Sequence, residues 1–272
     1  MTARYGWRRA KPMADGIEFI VQGGIARITL ARPEKGNAID LALARALLSA
    51  AIACETDGAI RCVVLTGQGR LFCAGGDVGA MKAAGDALPA LLAELIATLH
   101  AAVSRLARMP KPLLVLVNGP AAGAGFSLAM LGDIVLAGWS AHYTAAYGAI
   151  GLTADGGLSW LLPRLVGLRA AQEIVLTNRR IGAEEAERIG LLTRAVDDQA
   201  LAAEGEVMAK KLVGAPVAAL GAVRALIKES YESSFETQLD RELRSMSIAA
   251  TAEAKEGLAA FFAKRTPNFT GD

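Results

Sequence analysis

The sequence predicts an α/β core followed by an all-helical C-terminal region, and three observations predict it. Short apolar runs bounded by chain breakers read as buried strands, the clearest being Leu113-Leu114-Val115-Leu116-Val117 between Pro112 and Asn118-Gly119-Pro120. Such runs alternate with helical patterns through the first two hundred residues, as in α/β folds. From Asp198 onward the periodicity is helical, over about 199–213, 216–230, 235–250 and 251–264. The expected division is a disordered tail at residues 1–13, an α/β core over 14–200 and a helical region over 201–272. No low-complexity linker or clear repeat separates core from helices.

Taken in order, residues 17–21 and 25–30 flank Gln22-Gly23-Gly24 as a β-hairpin. Residues 32–38, Arg-Pro-Glu-Lys-Gly-Asn-Ala, form a breaker-rich loop. Asp40 is placed to N-cap a helix through about Glu55, with Leu41, Leu43, Leu47, Leu48 and Ile52 on its apolar side. Residues 61–66 read as a second buried strand, running into the small-residue loop Cys73-Ala74-Gly75-Gly76, after which Asp77 is an N-cap. A loop at about 78–90 leads to a long helix ended by Met109-Pro110, and 133–137 is a further strand. The segment 145–155 is irregular, and Gly156-Gly157 leads a short helix to Leu162, stopped by Pro163. Helical patterns at 169–176 and 183–190 and a strand at 193–196 complete the core, with Trp139 and Trp160 expected inside it and Asp133 expected as a buried structural partner.

Composition limits the function classes. With 53% hydrophobic and 21% charged residues in 272, the chain is a compact globular type. Lys+Arg 29 against Asp+Glu 27 leaves net +2, which is no footprint for nucleic acid, and Arg4, Arg8, Arg9 and Lys11 crowd the N-terminus. Cys54, Cys62 and Cys73 are odd in number and lack CxxC spacing, as expected of reduced thiols in the cytoplasm. His100 and His142 are the two histidines, expected as ordinary surface or packing residues; without HExxH or a Cys/His cluster no metal site is predicted. No uninterrupted apolar run approaches the ~20 residues of a membrane span, and the N-terminal segment lacks the apolar stretch of a signal peptide.

Chemistry is suggested by two small-residue loops that each follow a strand, Cys73-Ala74-Gly75-Gly76 and Gly123-Ala124-Gly125. In the second, Phe126 to Leu131 returns to helical composition, so a strand, a side-chain-free turn and a helix start gather free N–H groups at one point. Close packing of helix on sheet accounts for one such loop equally well. Two of them, in a parallel setting, bring N–H donors together at the carboxyl ends of neighbouring strands. Neither matches GxxxxGK[ST] or GxGxxG. Converging N–H groups without a Lys or metal suit an oxyanion, the negative oxygen of an enolised or attacked carbonyl.

FCAGGD (72–77), NGPAAGAGFSLAMLGD (118–133) and GLTADGGLSWLLPRLVG (151–167) together resemble the crotonase, or enoyl-CoA hydratase/isomerase, superfamily. KGNA (35–38), AEEAERIGLLTRAVDD (183–198) and FFAKRTPNFTG (261–271) extend the likeness over about residues 15–271. The resemblance implies a crotonase-like spiral of ββα turns with a C-terminal helical trimerisation region, assembling as a homotrimer or a dimer of trimers. It implies acyl-CoA thioester substrates, no cofactor beyond the coenzyme A that the substrate carries, and an oxyanion hole from the backbone N–H groups of Ala74 and Ala124. Substrate contacts are implied at Lys35, Ala38, Gly75, Asp77, Gly123, Ser127, Tyr147 and Lys264, with Arg265 beside the last; Lys264 and Arg265 would act across a subunit boundary.

Departures from the family pattern direct the choice of reaction. The two glutamates of the family's hydratases fall on Ser127 and Tyr147, so paired carboxylate acid/base chemistry is missing. Ser127 and Tyr147 remain as substrate hydrogen-bonding groups or plain pocket lining. Asp155, in Ala154-Asp155-Gly156-Gly157, resembles the catalytic aspartate of the isomerase branch that includes the phenylacetate-pathway ring-opening isomerases. There it would carry a proton from one carbon to another; its alternative is to cap the helix that follows. The leading expectation is an acyl-CoA isomerase with Asp155 as proton carrier. Beside it stand a hydratase with a non-standard site and a non-catalytic acyl-CoA binder.

Overall fold

A computed structural model describes residues 11–13, 16–249 and 252–270. In chain order the elements are β1 (Lys11–Met13), β2 (Ile17–Gln22), β3 (Ile25–Leu30), α1 (Leu41–Thr56), β4 (Cys62–Gly67), α2 (Val78–Ala83), α3 (Leu88–Arg108), β5 (Leu113–Val117), β6 (Ala121–Ala122), α4 (Ala124–Ala129) and β7 (Ile134–Gly138). There follow β8 (His142–Thr144), α5 (Leu158–Val166), α6 (Leu168–Leu176), β9 (Ile181–Gly182), α7 (Ala183–Arg188), β10 (Arg194–Val196), α8 (Leu201–Val213), α9 (Val217–Glu229), α10 (Phe235–Ala249) and α11 (Ala252–Phe262). The expected tail at 1–13 lies outside the described residues except for its last three, which pair with β2 as a strand.

A seven-stranded sheet runs β1-β2-β3-β4-β5-β7-β10, parallel from β3 onward, and a small second sheet runs β6-β8-β9. β5 is buried along its whole length, which explains its unbroken apolar sequence. Asp40 caps α1 by accepting the Leu43 N–H at 2.9 Å. Leu43, Leu47, Ala50, Ala51 and Cys54 then recur at helical spacing on a buried face, against the stripe Leu95, Leu99, Ala102 and Leu106 of α3. The alanines let the two helices approach closely.

Four expectations are corrected. α8 is not an appendage, because Leu201 and Ala209 pack with Ile25, Cys62, Val64 and Leu114 to cover the sheet's second face. The segment 78–90 contains α2 and a 3₁₀ turn, Gly85–Ala87, rather than being a plain loop. Pro163 lies inside α5, which continues to Val166 because Leu158 and Leu162 are anchored in the core and only one N–H is forgone. Trp139 and Trp160 are exposed, 52% and 39%; the latter stacks under the Arg164 guanidinium, 4.0 Å from its ring centre. The helical span Gly85–Arg108, although it carries charged residues, is long and apolar enough to cross a membrane by length and composition alone, and its apolar stripe packs on α1.

Candidate functional site

β4 and β5 are parallel neighbours in register, Leu65 beside Val115, so the loops leaving them open at one sheet edge. Those loops interlock by backbone. Phe72 N–H donates to Pro120 O at 3.1 Å and Ala122 N–H to Cys73 O at 2.9 Å, with a parallel bridge between Cys73 and Ala121. A methyl on Gly125 would stand 2.3 Å from Cys73 O, and one on Gly75 (φ +96°) 2.8 Å from Ala122 O. The small-residue composition is therefore a packing requirement, and it brings the two loops together as the sequence suggested.

Gly123 (φ +52°) turns the chain into α4, and Ala124 is the first residue of that helix. Its N–H has no intrahelical acceptor, and no acceptor is found for it among the described residues. Ala74 is a correction. Residues 36–39 lie along 74–77 like an extra strand, Ile39 N–H donating to Gly75 O at 2.7 Å, and the Ala74 N–H is taken by Gly36 O at 2.9 Å. Of the two expected oxyanion donors, Ala124 is the one left uncommitted.

Beside Ala124 lies a hydrogen-bonded cluster of Ser127, Tyr147 and Asp155. The Tyr147 hydroxyl donates to Asp155 Oδ1 at 2.7 Å, Ser127 Oγ donates to the Asp155 carbonyl at 2.9 Å, and the two hydroxyls stand 3.3 Å apart. Ser127 is buried and Asp155 half-buried. Burial, then the Asp155 charge, pushes the Tyr147 phenol well above its ordinary range, so it stays a donor. Asp155 does not cap α5: Gly157 is its N-cap without a side-chain bond, and the Asp155 contribution is a carbonyl accepting from Leu158 N–H at 3.1 Å. A methyl on Gly156 would meet Ser127 Cβ at 2.7 Å, so a glycine is needed for the loop to press on α4.

The remaining predicted positions divide. Asp77 caps α2 through the Ala80 N–H at 3.0 Å; that bond first, then Lys35 and Arg32, holds its carboxyl below the usual range. Exposed Lys35 reaches Asp77 at 3.8 Å, and buried Ala38 offers its carbonyl to Arg32 at 2.9 Å. Lys264 is exposed just past α11, and among the described residues no hydrogen bond or ion pair joins it to the loops; Arg265 is paired with Glu256 at 2.6 and 2.9 Å. Asp133 holds the Arg224 guanidinium at 2.6 Å, a structural role as expected, but it is Arg224 that is buried while Asp133 itself is exposed. A cavity of about 250 Å³ lies between α1, α2 and α3, lined by Ile39, Leu41, Met81, Leu91 and Leu95. No cluster of three or more His, Cys, Asp or Glu side chains suited to a metal occurs among the described residues.

Sequence reasoning missed three supports. Asn37, fully buried with φ +56°, donates to the carbonyls of Gln68, Leu71 and Phe72 at 2.9–3.1 Å and accepts the Arg32 N–H at 2.9 Å. His100 Nε2 on α3 accepts the Gly156 N–H at 3.0 Å. Asn178 accepts the N–H of Ala146, which has φ +63°, at 2.6 Å. A polar amide inside the breaker-rich 32–38 loop was the one visible signal; the other two join residues 56 and 32 positions apart.

The family model described as Enoyl-CoA hydratase/isomerase matches residues 21–272. The chain is 39% identical to a 1,2-epoxyphenylacetyl-CoA isomerase of Escherichia coli over 94% of its length and 99% of that protein's. It is 40% identical to a probable enoyl-CoA hydratase of Rhodobacter capsulatus, covering 94% and 98%. Among solved structures, an enoyl-CoA hydratase from Polaromonas sp. JS666 superposes with TM-score 0.88 at 34% identity, covering 93% of this chain and 98% of that one.

Proposed function

The chain belongs to the enoyl-CoA hydratase/isomerase family and has its crotonase fold, and within that family we propose that it is an acyl-CoA isomerase. The carrying observation is the Ser127–Tyr147–Asp155 cluster, which holds one carboxylate and two hydroxyls. Hydration calls for paired acid/base groups, whereas moving a double bond needs one group that takes a proton and returns it. In this reading the thioester oxygen lies at the Ala124 N–H, where the helix start favours the developing enolate charge. The Asp155 carboxylate removes a proton beside the carbonyl and delivers it further along the acyl chain. The cavity beside Met81 offers apolar room for that chain. The 39% identity to the E. coli isomerase supports the choice.

Asp155→Asn is expected to lower enoyl-CoA isomerisation by about 10²- to 10⁴-fold, the usual contribution of a positioned acid/base, while thioester affinity measured by calorimetry changes little. Wild-type protein that adds water without shifting the double bond is a hydratase, the reading favoured by the R. capsulatus relative. Binding of enoyl-CoA without turnover identifies a non-catalytic binder.

We further infer self-association into a trimer or a dimer of trimers. Phe235, Leu239, Leu243 and Met246 form one stripe on α10 with 48–76% exposure, and Phe261 and Phe262 on α11 are 77% and 80% exposed. Apolar surface this contiguous marks an interface. The buried, unbridged Cys54, Cys62 and Cys73 support a reducing cytoplasmic location, and coenzyme A is the one carrier the reaction requires.

A further inference from the structure

The geometry points to Tyr147 as the positioning residue of the proton carrier: its hydroxyl pins one oxygen of the Asp155 carboxylate and leaves the other to carry the proton. This rests on the isomerase reading above. A phenol has a single proton to give. At 2.7 Å it goes to Asp155 Oδ1, and the 3.3 Å contact with Ser127 is the weaker one. Ser127 and His100 hold the backbone on either side of the carboxylate, at the Asp155 carbonyl and the Gly156 N–H. Among the described residues, Tyr147 is the side chain that holds the carboxylate itself.

The loop that presents the phenol is itself over-determined. Ala146 occupies the left-handed region, costly for a residue with a Cβ, and Asn178 fixes it by accepting its N–H. Tyr147 N–H then closes a tight turn onto Ala145 O at 2.9 Å. The phenol carbon Cζ comes within 3.9 Å of a methyl built on Gly123, so the hydroxyl end stands at the start of α4, next to Ala124. Strain maintained at this point is the mark of a site where side-chain placement matters.

In the reaction, the free carboxylate oxygen takes a proton from the carbon beside the thioester carbonyl, leaving an enolate and a neutral carboxylic acid. The acid returns that proton to the carbon two bonds further on, and the carboxylate is restored. No oxidant and no water are consumed. A carboxylic acid held at its other oxygen keeps the proton facing the substrate; one left loose turns and exchanges with solvent.

The test uses trans-3-hexenoyl-CoA in D₂O with Tyr147→Phe, which keeps the ring and deletes the hydroxyl. The expected result is a fall in kcat of about tenfold to a hundredfold, the rate equivalent of one charge-assisted hydrogen bond. KM should stay within about threefold, and the deuterium content of the product should rise. A Tyr147→Phe enzyme with wild-type kcat and deuterium content overturns the assignment. So does a rise in KM at unchanged kcat, which would make the hydroxyl a substrate ligand. In both cases an inactive Asp155→Asn leaves the isomerase reading standing; an Asp155→Asn that turns over normally removes that reading itself.

Discussion

Asn37 ties two loops with one amide, taking three carbonyls and one N–H while its own backbone sits at φ +56°. Asn tolerates that conformation better than most residues with a Cβ, and its side chain satisfies the buried carbonyl of Phe72 together with those of Gln68 and Leu71. Asn37→Ala should therefore destabilise by about 2–4 kcal/mol, summed from lost bonds and orphaned carbonyls, measured by urea unfolding. A loss below about 0.5 kcal/mol, the level of an ordinary surface substitution, would show that the loops hold without it. Cys73 next to it is inert by the same enclosure: burial pushes its thiol up to about 12, and its Sγ–H donates to Asn37 O at 3.1 Å.

At the level of elements, the C-terminus of α3 is closed by α9. Arg224 donates to Leu106 O at 2.8 Å and Lys228 to Ala107 O, supplying donors to carbonyls left over at the helix end. Burial, and after it the Arg224 charge, brings the Lys228 ammonium down from 10.5 to about 8. A lowered lysine binds its proton less readily in the folded state than in the unfolded one. Between pH 8 and 10.5 this lysine therefore contributes stability that rises with pH, while the buried thiols of Cys54, Cys62 and Cys73, pushed up to about 12, contribute a fall above pH 9. Chemical denaturation of wild type and Lys228→Met at several pH values isolates the lysine: the stability of wild type relative to the variant should rise from pH 8 to 10.5, and a difference that stays constant with pH would remove Lys228 from the dependence. α5 carries a related lesson, since buried Leu158 and Leu162 override the proline expected to stop it.

Over the whole molecule, α8 covers the face of the sheet opposite α1 and α3, so the packed core takes in residues beyond the first two hundred. α10 and α11 differ, with no buried residue on α10 and Ala260 alone on α11. A groove of about 410 Å³ between α9 and α10, lined by Ala218, Ala222, Leu226, Arg241 and Arg244, lies on the other face of α10 and leaves the apolar stripe uncovered. Leu243→Glu places a charge in the middle of that stripe. Sedimentation should show the variant at a smaller assembly size than wild type, with its far-ultraviolet circular dichroism retained. Wild-type protein that sediments as a monomer would remove the trimer from the proposal.

The sequence by itself determined strands β2, β3, β4, β5, β7 and β10, the main helices, the helix caps at Asp40 and Asp77, and the two small-residue loops, because each is written in local periodicity or turn chemistry; β1, β6, β8 and β9 are too short to be read that way. It also placed Ser127, Tyr147 and Asp155 among the candidates, through their match to family motifs. Only the tertiary structure decided that these three meet, since they come from α4, a 3₁₀ turn and the loop before α5. It likewise decided that Ala74 gives its N–H to Gly36, that α8 belongs to the core and that Trp139 and Trp160 face outward. The physical reason is the same throughout: periodicity reports which way a side chain faces along its own element, while pairing partners and backbone commitments are settled by residues far away in the chain.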